Sequence, residues 1–506
     1  MERERAHLKG DCFKMLKLHN TMAGAKEPFA PLVDKTVRMY VCGVTVYDDC
    51  HIGHARSALI FDVLRRYMEF KGFSVTYARN FTDVDDKIIA RAERDGISWE
   101  RVARTYIDAY RRDMARLGVR PADIEPKATE HMPEMLDLIR RLEAKGIAYS
   151  SGDDVFYAVD AFRGYGKLSR RGLDQLKEEL VAGARVEVDT RKRNPLDFVL
   201  WKGSKPGEPA WHGPWGSGRP GWHLECSAMS MKHLGESFEI HGGGQDLIFP
   251  HHENEIAQSE GATGKPFARY WVHNGFVTIN REKMSKSLGN FFTIREIFDQ
   301  SPYPEAVTGE ALRALLLGTH YRSPLDFSDQ AIATAKASCD NIYALLQKLS
   351  EISNLKSQIS NAKHPALQKL LVAFPQNFQA AMDDDLNTAR ALAEFQQLRS
   401  AVNPMVEKGL PVALARAALD LIRTYGAVLG LFQLPPDQWS FVRGEWGLGP
   451  RISGALSEDD IRSLVAERDE ARRKKEWARS DEIRKMLEEH GVILEDRPDG
   501  TTRIKR

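Results

Sequence analysis

The sequence has few cysteines and no apolar run long enough to cross a membrane. Five cysteines at wide spacing are spread over the 506 residues. An odd, scattered set argues against a disulfide framework and is typical of a reducing compartment. The first residues are mostly charged or polar and contain no apolar signal core. These absences predict a cytoplasmic protein that makes no membrane contact.

The sequence also lacks an excess of charge of either sign. The formal net charge is +1, which excludes a protein that binds nucleic acid through a uniformly basic surface. Any RNA contact must therefore come from local basic patches. Hydrophobic residues make up 42% and charged residues 28% of the chain, which is typical of globular proteins, and the length predicts several domains.

Alternating strand and helix patterns predict an α/β fold whose parallel sheet is split by an insertion. The alternation runs from Val37 to about Leu117 and returns at Gly221. Helical spacing dominates from Ile294 to Leu434, and Pro435-Pro436 ends it. The predicted divisions are an N-terminal extension 1–34, the two halves of the α/β domain 35–121 and 221–292, an insertion 122–220, a connecting region 293–335, a helical bundle 336–434, a linker 435–457 and a small α+β domain 458–506.

Local patterns give specific expectations for single elements. Met1–Asp34 has no clear period and is interpreted as an extension or a loosely packed arm. Trp201–Pro220 is rich in glycine, proline and tryptophan and is interpreted as a loop. The expected strands are Val37–Val41, Ser74–Arg79, Ser237–Ile240 and Trp271–Ile279, with a strand pair in Tyr149–Val159 and a short β end at Val492–Arg503. The expected helices include one from about His54 to Phe70 and one at His251–Ser259, opened by Pro250.

The stretch from Cys42 to His54 carries the first candidate chemistry. A strand that ends at Cys42 and a helix that starts near His54 place a thiol and two imidazoles at the carboxyl edge of a parallel sheet. Helix N-termini at such an edge bind anions, so His51 and His54 can donate to phosphate oxygens, while Gly53 leaves room for a ligand. The alternative is that both histidines are only capping or surface groups.

A second set of residues has the chemistry of a metal site. His251 and Glu255 are four positions apart and share one face of the expected helix. Together with Cys42 and Cys226 they form a Cys₂HisGlu set that suits Zn²⁺. His252 points about 100° away on a helix and is the less favoured ligand. The alternative is two separate buried thiols and a polar helix start.

Two further stretches suit a nucleotide. His241-Gly-Gly-Gly-Gln-Asp246 follows an expected strand, so a ligand can lie on its backbone and Asp246 can hold a ribose hydroxyl. The alternative is a flexible turn. Lys283-Met-Ser-Lys-Ser287 places two lysines in a glycine-flanked loop that suits a clamp on phosphates, and a solvated basic loop is the alternative.

The two motifs His51-Ile-Gly-His54 and Lys283-Met-Ser-Lys-Ser287, in this order around an insertion, resemble the two signatures of class I aminoacyl-tRNA synthetases. Within that class, the stretches Y-V-C-G-V-T-V-Y-D, G-W-H-L-E-C-S-A-M, H-G-G-G-Q-D-L-I-F-P-H-H-E-N-E and R-E-K-M-S-K-S-L-G-N are similar to the cysteinyl-tRNA synthetases. The resemblance covers roughly Val37 to the C-terminus. It implies a Rossmann-like catalytic domain split by an insertion, followed by a stem-contact region at 293–335, a helical bundle and an anticodon-binding domain.

The resemblance also implies how the amino acid is selected. The family holds one Zn²⁺ per chain that binds the thiolate of the substrate cysteine, and the matching ligands are Cys42, Cys226, His251 and Glu255. A soft metal separates thiolate from hydroxyl far better than an apolar pocket does, so no editing domain is needed. The positions that match the lining of the amino-acid pocket are Gly43, Thr82 and Trp222.

The nucleotide and tRNA residues follow from the same resemblance. The substrates it implies are L-cysteine, ATP with Mg²⁺, and tRNA(Cys), and the family is mostly monomeric. The residues that match ATP contacts are His51, Gly53, His54, Gly243, Asp246 and Lys286, and those expected to stabilise the reacting phosphates are His51, His54, Lys283 and Lys286. The C-terminal residues expected to contact tRNA are Arg472, Trp477, Asp481, Arg484 and Asp496, with a solvated basic helix and a core tryptophan as the alternative.

Three other functions remain open at this point. A cysteine ligase of mycothiol synthesis shares the zinc site and the adenylate, but that family lacks the full C-terminal part. A zinc-bearing RNA-binding protein without catalysis is disfavoured by the intact His51, His54 and Lys286. A side activity that makes cysteine persulfide with pyridoxal phosphate is compatible with the first function, through lysines such as Lys87 and Lys283.

Overall fold

The computed structural model describes most of the chain. The described residues are 15–182, 190–279, 282–283, 291–355, 364–442, 444, 446, 465, 468, 471–472, 480–481, 483–484, 487, 493–496 and 502–505. Among them, no helix has the length and apolar character that a membrane span requires.

A four-stranded parallel sheet forms the centre of the α/β domain. Its strands are β3 (Thr36–Thr45), β4 (Ser74–Thr82), β10 (Phe238–Gly244) and β11 (Ala268–Asn274), in the order β11-β10-β3-β4. All three pairings are parallel. β3 is almost continuously apolar because helices cover both faces of such a sheet. The predicted α/β fold with a parallel sheet is therefore confirmed, with strands three to four residues longer at their carboxyl ends than expected for β3, β4 and β10.

Helix α1 (Ile52–Phe70) follows β3 and begins slightly before the expected start near His54. The imidazole of His51 accepts the backbone N–H of Gly53 at 3.0 Å and caps the helix. The other helices of this domain are α2 (Asp86–Asp95), α3 (Trp99–Arg116), α6 (Trp222–Leu234) and α7 (Glu253–Thr263).

The segment between the two halves of the sheet forms its own antiparallel sheet. It contains α4 (Met132–Ala144), α5 (Leu173–Ala182), β5 (Ala148–Ser151), β6 (Asp154–Tyr157), β7 (Phe198–Gly203), β8 (Trp211–Gly213) and β9 (Gly216–Pro220). The strand order is β5-β6-β7-β9-β8. The strand pair expected in Tyr149–Val159 is confirmed, but the interpretation of Trp201–Pro220 as a loop is wrong. A Cβ at Gly218 would lie 2.3 Å from Nε1 of the buried Trp201, so glycine in this strand makes room for the indole ring.

The interpretation of the N-terminal residues as a loosely packed arm is also wrong for residues 15–29. β1 (Lys17–Asn20) and β2 (Ala25–Pro28) form a hairpin. Leu16, Leu18 and Phe29 are buried in the main core. The backbone N–H of Lys17 donates to the carbonyl of Asp383 at 2.8 Å, which ties the hairpin to the helical region.

The second half of the chain is largely helical, as predicted. The helices are α8 (Ile294–Asp299), α9 (Glu305–Leu317), α10 (Asp329–Ser353), α11 (Pro365–Met382), α12 (Thr388–Val406) and α13 (Val412–Leu429). A small sheet of β12 (Val277–Ile279), β13 (Glu282–Lys283) and β14 (Leu325–Phe327) precedes and interrupts them. The single strand expected at Trp271–Ile279 is therefore two strands, β11 and β12. The predicted short β end is the hairpin of β15 (Ile493–Asp496) and β16 (Thr502–Lys505).

Two buried arginines join the helical region to the α/β domain. Arg313 on α9 contacts Asp62 on α1 and donates to the carbonyls of Leu117 and Gly118, each at 3.0 Å. Arg56 on α1 donates to four carbonyl oxygens, those of Gly275, Phe276, His320 and Ser323. Arg56 thus satisfies backbone carbonyls in the loop that follows β11 at the carboxyl edge of the sheet, and Arg313 satisfies those at the end of α3.

Candidate metal and nucleotide site

Four metal-ligating side chains converge at the carboxyl edge of the sheet. They are Cys42 on β3, Cys226 on α6, His251 in the turn before α7, and Glu255 on α7. One ligand atom from each lies within 4.8 Å of the others, and all four side chains are buried. Cys42 Sγ lies 3.2 Å and His251 Nε2 lies 3.1 Å from the same carboxylate oxygen, Glu255 Oε1. The structure thus brings together the whole predicted ligand set.

The donor set fits Zn²⁺ in chemistry and in size. Two thiols, an imidazole and a carboxylate are all zinc ligands, and tetrahedral ligand distances near 2.0–2.3 Å place neighbouring donors roughly 3.3–3.8 Å apart. Burial opposes ionisation of Cys226, but hydrogen bonding to Cys42 and the neighbouring His251 outweigh it and lower the pKa of Cys226 to about 6. Burial and the neighbouring Cys226 and Glu255 raise the pKa of the Cys42 thiol, because they disfavour a second negative charge. A thiolate at Cys42 therefore needs a cation beside it.

His241 belongs to this site, although the sequence did not single it out as a ligand or positioning group. Its Nε2 lies 2.8 Å from Glu255 Oε2, the carboxylate oxygen that faces away from His251. Its Nδ1 lies 3.2 Å from the carbonyl oxygen of Tyr40. Only its place at the end of a strand, next to three glycines, could have drawn attention to it. His241 holds the orientation of the Glu255 carboxylate, as outer partners of metal ligands commonly do.

A second set of four donors overlaps the first and contains His252. Cys42, His241, His252 and Glu255 also have ligand atoms within 4.8 Å of one another. His252 Nδ1 lies 2.8 Å from His273 Nε2, and its Nε2 lies 3.9 Å from Glu255 Oε1. The set that contains both thiols is the better match to zinc, since this metal readily takes thiolate ligands.

The helix expected at His251–Ser259 forms, but its first two residues lie in a π-helical turn and not in regular α-helix. Phe249 is extended, with φ −141° and ψ 134°, and Ile248–His252 forms an irregular turn before α7 begins at Glu253. His251 and Glu255 still meet because the turn continues into the helix. The contact expected from their spacing therefore forms, although the two residues do not lie on one regular α-helix.

The three residues expected at the amino-acid pocket surround this cluster. Gly43 lies against β4, and its N–H donates to Asn80 Oδ1 at 2.8 Å. The Thr82 hydroxyl donates to the buried Glu225 carboxylate at 2.7 Å, and burial raises the pKa of that acid well above its usual range. The indole of Trp222 stacks on His251 with 4.3 Å between ring centroids, and 40% of Trp222 is exposed.

His51 and His54 lie together at the start of α1. Their rings stack with 3.7 Å between centroids, and His54 Nδ1 accepts the backbone N–H of His51 at 3.4 Å. Burial, together with the charges of His51 and Arg79, lowers the pKa of His54 well below its usual range. His54 is therefore neutral at physiological pH, and a neutral imidazole can still donate one hydrogen bond to a phosphate oxygen. Both imidazoles also take part in capping α1, which was the alternative interpretation from the sequence, and their contact with phosphate stays a prediction.

The glycine stretch is part of a strand, so its interpretation as a flexible turn is wrong. Gly242 and Gly243 both lie within β10. A Cβ at Gly242 would lie 2.3 Å from the ring of Phe61 on α1, and one at Gly243 would lie 2.9 Å from Leu247. Asp246 follows in a turn and lines a cavity of about 420 Å³ whose other wall comes from the N-terminal hairpin and the insertion.

Three family models match consecutive parts of the chain. They are the tRNA synthetases class I (C) catalytic domain at residues 28–337, the DALR domain at 377–433 and the cysteinyl-tRNA ligase anticodon binding domain at 457–502. The cysteine–tRNA ligase of Geobacter metallireducens is 51% identical over 494 residues, which cover 96% of this chain and 99% of that protein. The cysteine–tRNA ligase of Thermodesulfovibrio yellowstonii is 48% identical over 495 residues, with the same two coverages.

The chain belongs to the cysteine–tRNA ligase family. The resemblance read from the motifs is therefore confirmed, and the chain is an aminoacyl-tRNA synthetase of class I. The methionyl-tRNA synthetase of Mycobacterium tuberculosis, solved in complex with methionyl-adenylate, is similar in fold with a TM-score of 0.60. It is 18% identical, and the match covers 80% of this chain and 95% of that one, so this likeness concerns the fold alone.

The remaining residues expected from the ligase family lie in short described stretches or outside the described residues. Lys283 is in β13, but nothing further is described of its side chain, and Lys286 lies outside the described residues. In the C-terminal part, Asp481 is exposed, and Arg484 donates to the carbonyl of Leu494 on β15 at 3.4 Å. Arg472 is partly buried, Asp496 ends β15, and Trp477 lies outside the described residues.

Proposed function

We propose that this protein attaches cysteine to tRNA(Cys) in two steps. The carboxylate of L-cysteine attacks the α-phosphate of ATP, which gives cysteinyl-adenylate and releases pyrophosphate. The 2′ hydroxyl of the terminal tRNA ribose then attacks the adenylate and releases AMP. The observation that carries this proposal is the convergence of Cys42, Cys226, His251 and Glu255 at the sheet edge where α1 begins with His51 and His54.

We propose that the four converging side chains hold one Zn²⁺ per chain. An ion held there would supply a Lewis acid that favours the thiolate of cysteine over the harder hydroxyl of serine. An apolar pocket alone would separate such similar side chains by only about 10²-fold. Gly43, Thr82 and Trp222 would then enclose the amino acid beside these ligands.

The nucleotide would lie across the N-terminus of α1. His51 and His54 would donate to phosphate oxygens there, and the absence of a side chain at Gly53 lets the phosphates approach the backbone. Gly243 and Asp246 would hold the adenosine, and Lys283 and Lys286 would stabilise the charge that develops on the phosphates with Mg²⁺. Neither step needs a general base from the protein, so the work of these residues is positioning and charge stabilisation.

The C-terminal part would bind tRNA through Arg472, Trp477, Asp481, Arg484 and Asp496. Arginine suits phosphate and base-edge contacts, and an indole ring can stack on an unpaired base. The match of residues 457–502 to an anticodon binding domain supports this proposal. We also propose the domain divisions read from the sequence, a monomeric state and a cytoplasmic location.

The test is cysteine-dependent exchange of pyrophosphate into ATP, with zinc content measured on the same samples. We expect the wild type to exchange with cysteine and not with serine. Cys226→Ser should lose at least 10²-fold in exchange together with its zinc. Cys339→Ser is the matched control, since Cys339 is equally buried but lies on α10 in the helical region.

Two outcomes would contradict the proposal in different places. Exchange by Cys226→Ser at the wild-type rate, with zinc retained, would show that Cys226 is not a zinc ligand and that the proposed four-ligand site is wrong. Normal exchange by the wild type without charging of tRNA would support formation of the adenylate but contradict tRNA as the acceptor. That result is expected of a ligase that passes cysteine to an amino sugar.

A further inference from the structure

A cavity of about 240 Å³ lies on the far side of β4 from the metal cluster, between β4, α3 and residues 119–125. Its walls are mainly apolar and include Phe81, Met114, Val119 and Ala122. Three arginines also line it, namely Arg79, Arg111 and Arg120. A mainly apolar cavity with a few converging polar groups is the usual form of a small-molecule site.

Arg79 is a buried cation without a carboxylate partner among the described residues. It is 6% exposed, and none of the described residues forms a hydrogen bond with its buried Nε. Its closest polar contact is a long one, 3.5 Å from Nη1 to the hydroxyl of Tyr77. Burial acts most strongly on its charge, followed by Tyr110, Tyr77 and Cys50, which are neutral at pH 7, and Arg79 in turn acts on the neutral His54. Burying a charge without a counter-charge is unfavourable, so Arg79 is suited to receive an anion.

The other cations of the cavity do not remove this imbalance. Arg111 pairs with Glu125 at 2.7 Å, and Glu125 is the one carboxylate that lines the cavity among the described residues. Arg120 pairs with Glu69 at 2.8 Å and with Asp62 at 3.5 Å, both outside the lining, and its buried Nη2 has no hydrogen-bond partner among the described residues. Arg111 and Arg120 thus each have a carboxylate partner, and Arg79 is the guanidinium of the cavity that has none among the described residues.

We propose that this cavity binds a small organic carboxylate, with the carboxylate group on Arg79 and an apolar body between Phe81, Met114 and Val119. Guanidinium groups form strong, charge-assisted hydrogen bonds with carboxylates. The apolar walls disfavour a fully polar anion such as inorganic phosphate, which would lose its hydration there without new partners. The cavity shares no lining residue with the metal cluster, so this inference stands independently of the proposed function.

Binding can be tested on the full-length protein by isothermal titration calorimetry. The probes are 3-phenylpropionate and 4-methylpentanoate, each compared with its uncharged amide. We expect saturable 1:1 binding of at least one acid with Kd of about 10⁻⁴–10⁻³ M, and binding of its amide at least tenfold weaker. Absence of saturation for both acids, or equal binding of acid and amide, would overturn the proposal.

Variants locate the binding in this cavity. Arg79→Met removes the charge and keeps the length of the side chain, and Ala115→Trp fills the mouth of the cavity from an exposed position on α3. Both should weaken binding of the acid at least tenfold. Arg112→Gln, next to Arg111 but outside the lining, should bind as the wild type does. If Arg79→Met does not fold, Ala115→Trp decides the outcome, and wild-type binding by Ala115→Trp would refute this location.

Discussion

Gly43 lies so close to the backbone of the neighbouring strand that no side chain fits there. A Cβ at this position would lie 1.6 Å from the carbonyl oxygen of Asn80. Because that atom belongs to the backbone of β4, only a shift of the strand could relieve the clash. We expect Gly43→Ala to lower the free energy of unfolding by about 2–3 kcal/mol, as overpacking of a core does.

Thermal unfolding measures the loss of stability. The rate of pyrophosphate exchange shows whether a shift of β3 relative to β4 affects the reaction. Gly172→Ala is the matched control, since a Cβ there would meet no atom within 4 Å. Equal melting temperatures for the two variants would show that β3 can move away from β4 without cost.

His241 is the residue whose role only the structure revealed, and its removal should affect the metal more than the fold. Its imidazole orients the Glu255 carboxylate through the 2.8 Å contact to Oε2. We expect His241→Gln to weaken zinc binding by about 10–100-fold, the usual effect of losing an outer partner of a metal ligand. The measurement is competition with a chromogenic chelator, with the exposed His212→Gln as the control. Zinc affinity equal to that of the wild type would contradict this role.

At the scale of elements, helix α3 contains a buried acid that destabilises the fold at neutral pH. Burial raises the pKa of Asp113 to about 6, and no group in the described part of the chain donates a hydrogen bond to its Oδ2. The unfolded value is near 3.9, so the folded state binds the proton more tightly. Stability therefore falls as the pH rises from about 4 to about 6, and the full cost is present above pH 6.

Replacing this acid by its amide should remove the cost. We expect Asp113→Asn to raise the free energy of unfolding by about 1–3 kcal/mol at pH 7.5 and by much less at pH 4.5. Urea denaturation at the two pH values measures it. Asp108→Asn, at an exposed position of the same helix, should change stability by less than about 0.5 kcal/mol at either pH. A gain that does not depend on pH would show that titration of Asp113 is not the cause.

At the scale of the whole molecule, Asp385 joins the helical region to the rest of the protein. Its Oδ1 accepts the backbone N–H of His19 on β1 and the hydroxyl of Tyr321, both at 2.7 Å. Its Oδ2 accepts Arg322 Nε at 2.8 Å, and the residue is fully buried. One carboxylate thus connects the N-terminal hairpin, the loop after α9 and the turn before α12.

We expect Asp385→Asn to lower the temperature of the first thermal transition, with a loss of about 1–3 kcal/mol, because the amide replaces one acceptor oxygen of a buried carboxylate that accepts three hydrogen bonds. Asparagine tolerates the positive φ of 64° at this position, so the backbone is not the cause. Asp384→Asn is the neighbouring control, since Asp384 pairs with Lys26 at the surface, where such pairs contribute about 0–1 kcal/mol. Similar melting for both variants would contradict the joining role of Asp385.

The sequence was sufficient for the features that depend on local pattern and on the chemistry of motifs. Alternating strand and helix patterns indicated the parallel sheet, and apolar residues at helical spacing indicated that the region from Ile294 to Leu434 is helical. Residue types that bind metal or phosphate drew attention to Cys42, Cys226, His251 and Glu255, and these side chains do meet. Local composition failed where glycine serves packing, as at Gly218 beside Trp201 and at Gly242 beside Phe61, because glycine in a strand and glycine in a turn have the same sequence signature.

By itself, the sequence determined which elements form and which chemical groups the protein has for its reaction. The tertiary structure decided the contacts between residues far apart in the chain. Cys42 and Glu255 are separated by 213 positions, and no local pattern indicates that His241 completes the environment of that carboxylate. Likewise, Arg79 becomes a buried cation without a carboxylate partner among the described residues only when β4 packs against α3. Whether a charged side chain is buried or paired depends on how whole helices and strands pack, because packing brings side chains from distant parts of the chain together.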